Sequence, residues 1–209
     1  MTDTTARIPK LTRKGQATRD RILQAAVELI AERGVVGTST EDVRKAARVS
    51  GSQIYHYFDS KQALIRAVIT RQADAEPVPG RPMMGALDCF DALRAWADAA
   101  IQRQEENGCR GECSLGSLAG ELGAADEDSR QDLSNGFLRW QGLLEQSLRA
   151  MRDRGDLRPD ADLGELSLAL LTALQGGTLL TQTMRDIRPL RAALNAALSY
   201  IHSFAADQR

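Results

Sequence analysis

The sequence predicts an all-α protein of about nine helices in two parts, a small N-terminal set and a larger C-terminal one. Three observations carry this. Ala, Leu, Arg and Gln fill long segments whose apolar residues recur at helical spacing, and no alternating run suggests a strand. The breaks between those segments fall at Gly and Pro. The chain has 209 residues, 43% hydrophobic and 26% charged, which is ordinary globular composition with length enough for a real core. No run of about 18 apolar residues suggests a membrane span. The N-terminus, MTDTTARIPKLTRKGQ, is basic but has no apolar stretch to act as a secretory signal. Three cysteines are an odd number, which argues against a disulfide framework and for a reducing, cytoplasmic setting.

Residues 1–15 read as a flexible basic arm with Arg7, Lys10, Arg13 and Lys14. The first helix spans Gln16 to Arg33, with Ile22, Ala25, Ala26, Leu29 and Ile30 on its inner face and Gly34 as its stop. Ser39 caps a short second helix over 40–47, and Asp42 is its capping-box partner. Ser50 caps a third short helix that runs through Phe58. Asp59 or Ser60 caps a fourth, with Leu64, Ile65, Val68 and Ile69 inward. These helices form a domain over 16–74. Segment 75–86, AEPVPGRPMMGA, holds three of the six prolines and reads as a linker. Over 87–209, helices fall at about 86–107, 115–123, 126–154, 162–184 and 188–206.

Charge divides along the same line. Residues 1–71 carry 13 Lys and Arg against 7 Asp and Glu, whereas the remainder carries 14 against 21. A basic front on an acidic body fits a small module that faces nucleic acid. The informative segment is 39–61, STEDVRKAARVSGSQIYHYFDSK. Val43, Ala47, Val49, Ile54 and Phe58 sit where a helix-turn-helix needs small or apolar packing. The second helix of the pair turns Ser52, Gln53, Tyr55 and His56 outward. Gln pairs with adenine through two hydrogen bonds, hydroxyls reach phosphate or base edges, and an aromatic ring packs on sugar or a thymine methyl. Lys61 is placed to meet a phosphate, and the helix start at Ser50 and Gly51 offers N–H groups to another. Arg44 either faces phosphate or is solvated. The arm either enters the minor groove or remains a solvated tail.

Stretch 18–69 resembles the DNA-binding domain of the TetR family of bacterial transcriptional regulators, through RDRILQAAVELIAERG, TSTEDVRKAARVS and GSQIYHYFDSKQALIRAVI. GECSLGSLAGEL and ALLTALQGGTLLTQTMRD are similar to one branch, the LmrA/YxaF-like regulators. The resemblance implies an N-terminal three-helix helix-turn-helix domain and a larger helical ligand-binding and dimerisation domain. It implies a homodimeric repressor, released from a palindromic double-stranded DNA operator by a small molecule. It also implies DNA contacts by Ser39 and Thr40 to phosphate, and by Gly51, Ser52 and Gln53 to base edges. Tyr55, His56, Tyr57 and Lys61 follow as further contacts. One departure is Arg48, in a turn where the family usually has Gly for a left-handed backbone.

In the C-terminal part, Leu170, Leu174, Gly176 and Gly177 join Ala193, Ala197 and Tyr200 as a small-residue and apolar face. It suits either a four-helix dimer interface or the chain's own core. Phe90, Trp96, Cys113, Leu118, Phe137, Trp140 and Met151 are candidates to line a pocket for an apolar or aromatic effector. Cys109 and Cys113 suggest either a redox or electrophile sensor or plain packing. A thiol-dependent enzyme is the rival from another class, but no His–acid partner set accompanies the thiols. No metal site or cofactor is suggested by the spacing.

Overall fold

The computed structural model describes residues 11–75, 87–110, 115–124 and 126–206. Nine α-helices and no strand occur among them. The chain divides into two compact units, Met1–Val68 and Ile69–Arg209. The division falls inside the fourth helix rather than in the Pro-rich segment, of which residues 76–86 lie outside those described.

In the first unit, α1 (Arg13–Arg33) begins three residues before the predicted start. The cause is Thr12, whose hydroxyl accepts from Gly15 N–H at 3.1 Å and so caps the helix upstream. Arg13 and Lys14 are therefore helical rather than part of an arm, while Arg7 and Lys10 lie outside the described residues. Gly34 ends α1 at φ 73°, with its N–H on the Ile30 carbonyl at 2.9 Å. Then come α2 (Thr40–Ala46) and α3 (Gly51–Tyr57), followed by α4 (Lys61–Asp74), which runs on into the second unit. Ser60, not Asp59, caps α4, accepting from Ala63 N–H at 3.0 Å. Ile22, Ala26 and Ile30 are buried with Val43, Ala47, Val49, Ile54, Phe58, Leu64 and Val68. Each large side chain among them contributes roughly 1.5–3 kcal/mol by leaving water.

The second unit holds the end of α4 with α5 (Phe90–Glu106), α6 (Leu115–Leu122), α7 (Glu127–Asp153), α8 (Leu163–Met184) and α9 (Arg188–His202). Trp140 on α7 is buried and donates its indole N–H to the Ala73 carbonyl at 3.0 Å, tying α7 to the end of α4. By length and composition α8 could cross a membrane, contrary to the expectation that no such segment exists. Its place is instead that of a core helix. It packs between α7 and α9 and buries Leu166, Ser167, Leu170, Leu174, Gly177 and Thr181. The α8–α9 approach is closest at Gly177, where a Cβ would lie 2.9 Å from Leu190 Cα and 3.2 Å from Ala193 Cβ. Thr181 Oγ1 accepts from Leu190 N–H at 3.1 Å and closes the corner. Where α5 ends, Gly108 and Cys109 both take positive φ, and so does Arg185 at the end of α8. The Arg185 guanidinium donates to the Cys109 carbonyl at 2.9 Å and joins the two turns.

Candidate nucleic-acid interface

Two capping boxes build the α2–α3 motif. Ser39 Oγ accepts from Asp42 N–H at 3.1 Å, and Asp42 Oδ2 accepts from Ser39 N–H at 3.1 Å. These hydrogen bonds from Ser39, side chain first and then backbone, hold the Asp42 carboxyl below the usual carboxylate range. Ser50 and Gln53 repeat the arrangement at α3. Gln53 N–H donates to Ser50 Oγ at 3.1 Å, and Ser50 N–H donates to Gln53 Oε1 at 2.8 Å. Between the boxes, Ala47 and Val49 bury while Arg48 turns the chain at φ 52°. A left-handed non-glycine residue costs about 1 kcal/mol, so the departure noted in the sequence is real strain. The buried neighbours and the Arg21 Nε–Ala47 carbonyl bond at 2.8 Å hold it in place.

The outer face of α3 is as the periodicity predicts. Gly51, Ser52, Gln53, Tyr55 and His56 are exposed, whereas Ile54 and Phe58 are buried. Tyr55 is 60% exposed, a large ring held in water by a short helix. Ser39 and Ser50 are exposed and Thr40 is half-buried. Tyr57 is half-buried as well. Its hydroxyl lies toward the start of α1, where a Cβ on Gly15 would come within 3.4 Å of it.

Three of the candidate contacts hold partners within the unit. Arg44 makes two hydrogen bonds to Glu41, at 2.7 and 2.6 Å, and a third to the Val49 carbonyl at 3.2 Å. Arg44 thereby lowers the Glu41 pKa, and Glu41 raises that of Arg44. It is neither a free phosphate ligand nor a solvated side chain, but a staple from α2 to the turn. Gln53 Oε1 is engaged in the cap, so its amide does not stand free as an adenine reader. Likewise the start of α3 does not present the Ser50 N–H, which that cap consumes. Lys61 Nζ donates to the Val35 carbonyl at 3.0 Å while the residue remains exposed. The signals for the first two were present as Glu41 three residues before Arg44 and as Ser-x-x-Gln. Nothing local marked Val35 as the partner of Lys61.

Two short helices joined by a tight turn, with an apolar inner side and a polar outer side on the second, define the helix-turn-helix class. Known proteins narrow the class. Residues 22–68 match the family described as bacterial regulatory proteins, tetR family, and residues 89–197 match the tetracyclin repressor-like C-terminal domain. The chain belongs to the TetR family of DNA-binding transcriptional regulators. It is 28% identical over 216 residues to the transcriptional regulator AcuR of Cereibacter sphaeroides, across 98% of this chain and 93% of that one. UidR of Escherichia coli K12 is 25% identical over 163 residues, across 78% and 81%. A solved regulatory protein TetR from Rhodobacter sphaeroides superposes with TM-score 0.75 at 25% identity, covering 88% of this chain and 98% of its own. Reduced E. coli NemR shares the fold, with TM-score 0.77 at 23% identity, covering 92% and 98%.

The effector-pocket candidates do not converge. Trp96, Leu118, Trp140 and Met151 are core residues with at most 4% of their surface exposed. Phe90 instead lies at 4.8 Å from the His202 ring, in a cleft between α5 and α9. Phe137 alone of the set lines the largest described groove, of about 360 Å³, with Ala119, Leu133, Leu138, Leu168 and Leu171. Cys113 lies outside the described residues. Cys109 is a buried free thiol, and nothing in its surroundings supports the sensor reading.

The dimer-face candidates divide similarly. Leu170, Leu174, Gly177 and Ala197 are buried within the chain's own α7–α9 core, Ala193 is half-buried, and Gly176 and Tyr200 are exposed. The apolar surface of α8 lies instead at Leu168, Leu179, Leu180 and Met184, each more than half exposed. Tyr200 donates to Glu165 Oε1 at 2.6 Å, and that bond to a carboxylate raises the Tyr200 pKa.

Proposed function

We propose that the chain is a cytoplasmic homodimeric repressor, freed from a palindromic operator by an apolar or aromatic effector. The observation that carries the DNA side is the two-sided α3. Ile54 and Phe58 anchor it while Ser52, Gln53, Tyr55 and His56 stand out together. Ser39, Thr40, Gly51 and Lys61 flank that face as the phosphate and base contacts, with Tyr57 beside them. One seven-residue helix reads too few bases for useful specificity, so a second copy is required. Exposed Leu179, Leu180, Met184 and Tyr200, beside Gly176, are the surface we assign to that copy. The groove beside Phe137 is the effector site we favour, since apolar walls with a few polar groups such as Gln141 suit a small apolar molecule. The GECSLGSLAGEL and ALLTALQGGTLLTQTMRD segments support the LmrA/YxaF-like branch.

Repression and release then follow as a population shift. A ligand that binds the non-operator arrangement better draws the dimer from DNA, and operator weakens ligand binding by the same factor. The test is fluorescence anisotropy of the full chain on DNA flanking its own reading frame, in a salt series. A palindromic footprint and a steep salt dependence are expected. Binding to no duplex at low salt overturns the reading.

A further inference from the structure

We propose that Gln53 reads its base as a hydrogen-bond donor only, and so selects guanine rather than adenine at its position. This rests on the DNA-reading role of α3. The usual Gln–adenine pair needs both arms of the amide, with Oε1 accepting from N6 and Nε2 donating to N7. Here Oε1 turns back on the helix's own first turn and accepts from Ser50 N–H at 2.8 Å. The orientation of the amide is forced, because a backbone N–H can be met only by the oxygen.

The cap is reinforced on both sides. Ser50 Oγ accepts from Gln53 N–H at 3.1 Å and lies 3.0 Å from Ser52 Oγ. The residue before Ser50 is fixed as well, since Val49 is buried and Arg44 holds its carbonyl. Releasing Oε1 to pair with adenine would leave the Ser50 N–H without a partner just where DNA displaces water. What remains outward is Nε2 with its two N–H groups. Of the four bases, guanine shows that donor two acceptors side by side, N7 and O6, with no donor of its own that Gln53 must answer. Adenine and cytosine each present an amino group that a donor-only side chain opposes.

The experiment is selection of duplexes from a random library by the full-length wild type, Gln53→Ala and Gln53→Glu, followed by sequencing. Gln53→Glu keeps the cap, since Glu serves the same capping position, but turns an acceptor outward. The wild type is expected to enrich a guanine in each half-site. Gln53→Ala should lose that preference, and Gln53→Glu should exchange it for cytosine. On single duplexes, replacing the guanine by adenine should weaken the wild type about tenfold and leave Gln53→Ala unchanged. Adenine at the Gln53-dependent position, or identical preferences in wild type and Gln53→Ala, overturns the proposal. Enrichment of no sequence by the wild type overturns the DNA-reading role itself. Circular dichroism of each variant checks folding, and should Gln53→Ala not fold, the cap-retaining Gln53→Glu decides alone.

Discussion

Both α2–α3 and α8–α9 are helix pairs joined by a short turn, yet they are held by different means. The α2–α3 pair is fixed by hydrogen bonds between residues three to five apart, namely two capping boxes and the Arg44 staple. The α8–α9 pair is fixed by the close approach of two backbones at Gly177 and by Leu190 pressed against it. The first is stabilised by polar groups satisfied locally, the second by excluded volume. A local design leaves its outer face free to carry chemistry. A design based on volume uses up the small residues and leaves the large apolar ones outside.

The comparison can be broken at its most crowded point. Gly177→Val should destabilise the chain by about 1–3 kcal/mol, because a side chain there meets Leu190 backbone that cannot yield. Its neighbour tests the claim from the other side. Gly176 has no atom within 4 Å of where its Cβ would be, so Gly176→Ala should stabilise by roughly 0.5–1 kcal/mol through helix propensity. Urea midpoints of both variants measure the pair, and equal effects would refute the volume account.

In the local pair, Ser50→Ala removes the hydroxyl that caps α3 and should cost about 1 kcal/mol in the same titration. Arg48→Gly should relieve the left-handed turn, by about 1 kcal/mol at most, since glycine also gains freedom in the unfolded chain. A loss of stability instead would mean that Arg48 contributes more than its backbone costs. The smallest effect is expected from Asp42→Asn, read as acid sensitivity. The lowered Asp42 pKa means its cap is at full strength above about pH 4 and is lost as pH falls through the folded-state value. Asn keeps an acceptor but does not titrate. Melting temperatures from pH 5 down to 2 should therefore fall less steeply in the variant than in the wild type.

Local design is also what sequence reading recovers. Ser39, Asp42, Ser50 and Gly34 each announce their role by type and spacing, and Arg48 was suspect because its position asks for glycine. The start of α1 was missed because Thr12 precedes a run of basic residues that resembles a tail. On α8 the difficulty is different in kind. Leucines lie all around the helix, so periodicity alone cannot tell Leu170 and Leu174, which are inside, from Leu168, Leu179 and Leu180, which are outside. That choice is made by α9, through the fit of Leu190 against Gly177. Gln53 was assigned to the right face and the wrong bond, because the Ser-x-x-Gln cap and the base-reading role draw on the same amide oxygen.

The bond between Arg185 and Cys109 has a consequence for exchange with solvent deuterium. It links two residues 76 apart in the chain, each in a left-handed conformation. Neither turn gains by staying closed once that link is cut, so the two relax as a unit. The Cys109 amide, bonded to the Gln104 carbonyl at 2.7 Å, therefore reports on the end of α8 as well as on the end of α5. Its protection against exchange should collapse in Arg185→Ala, while the amides in the middle of α5 keep theirs.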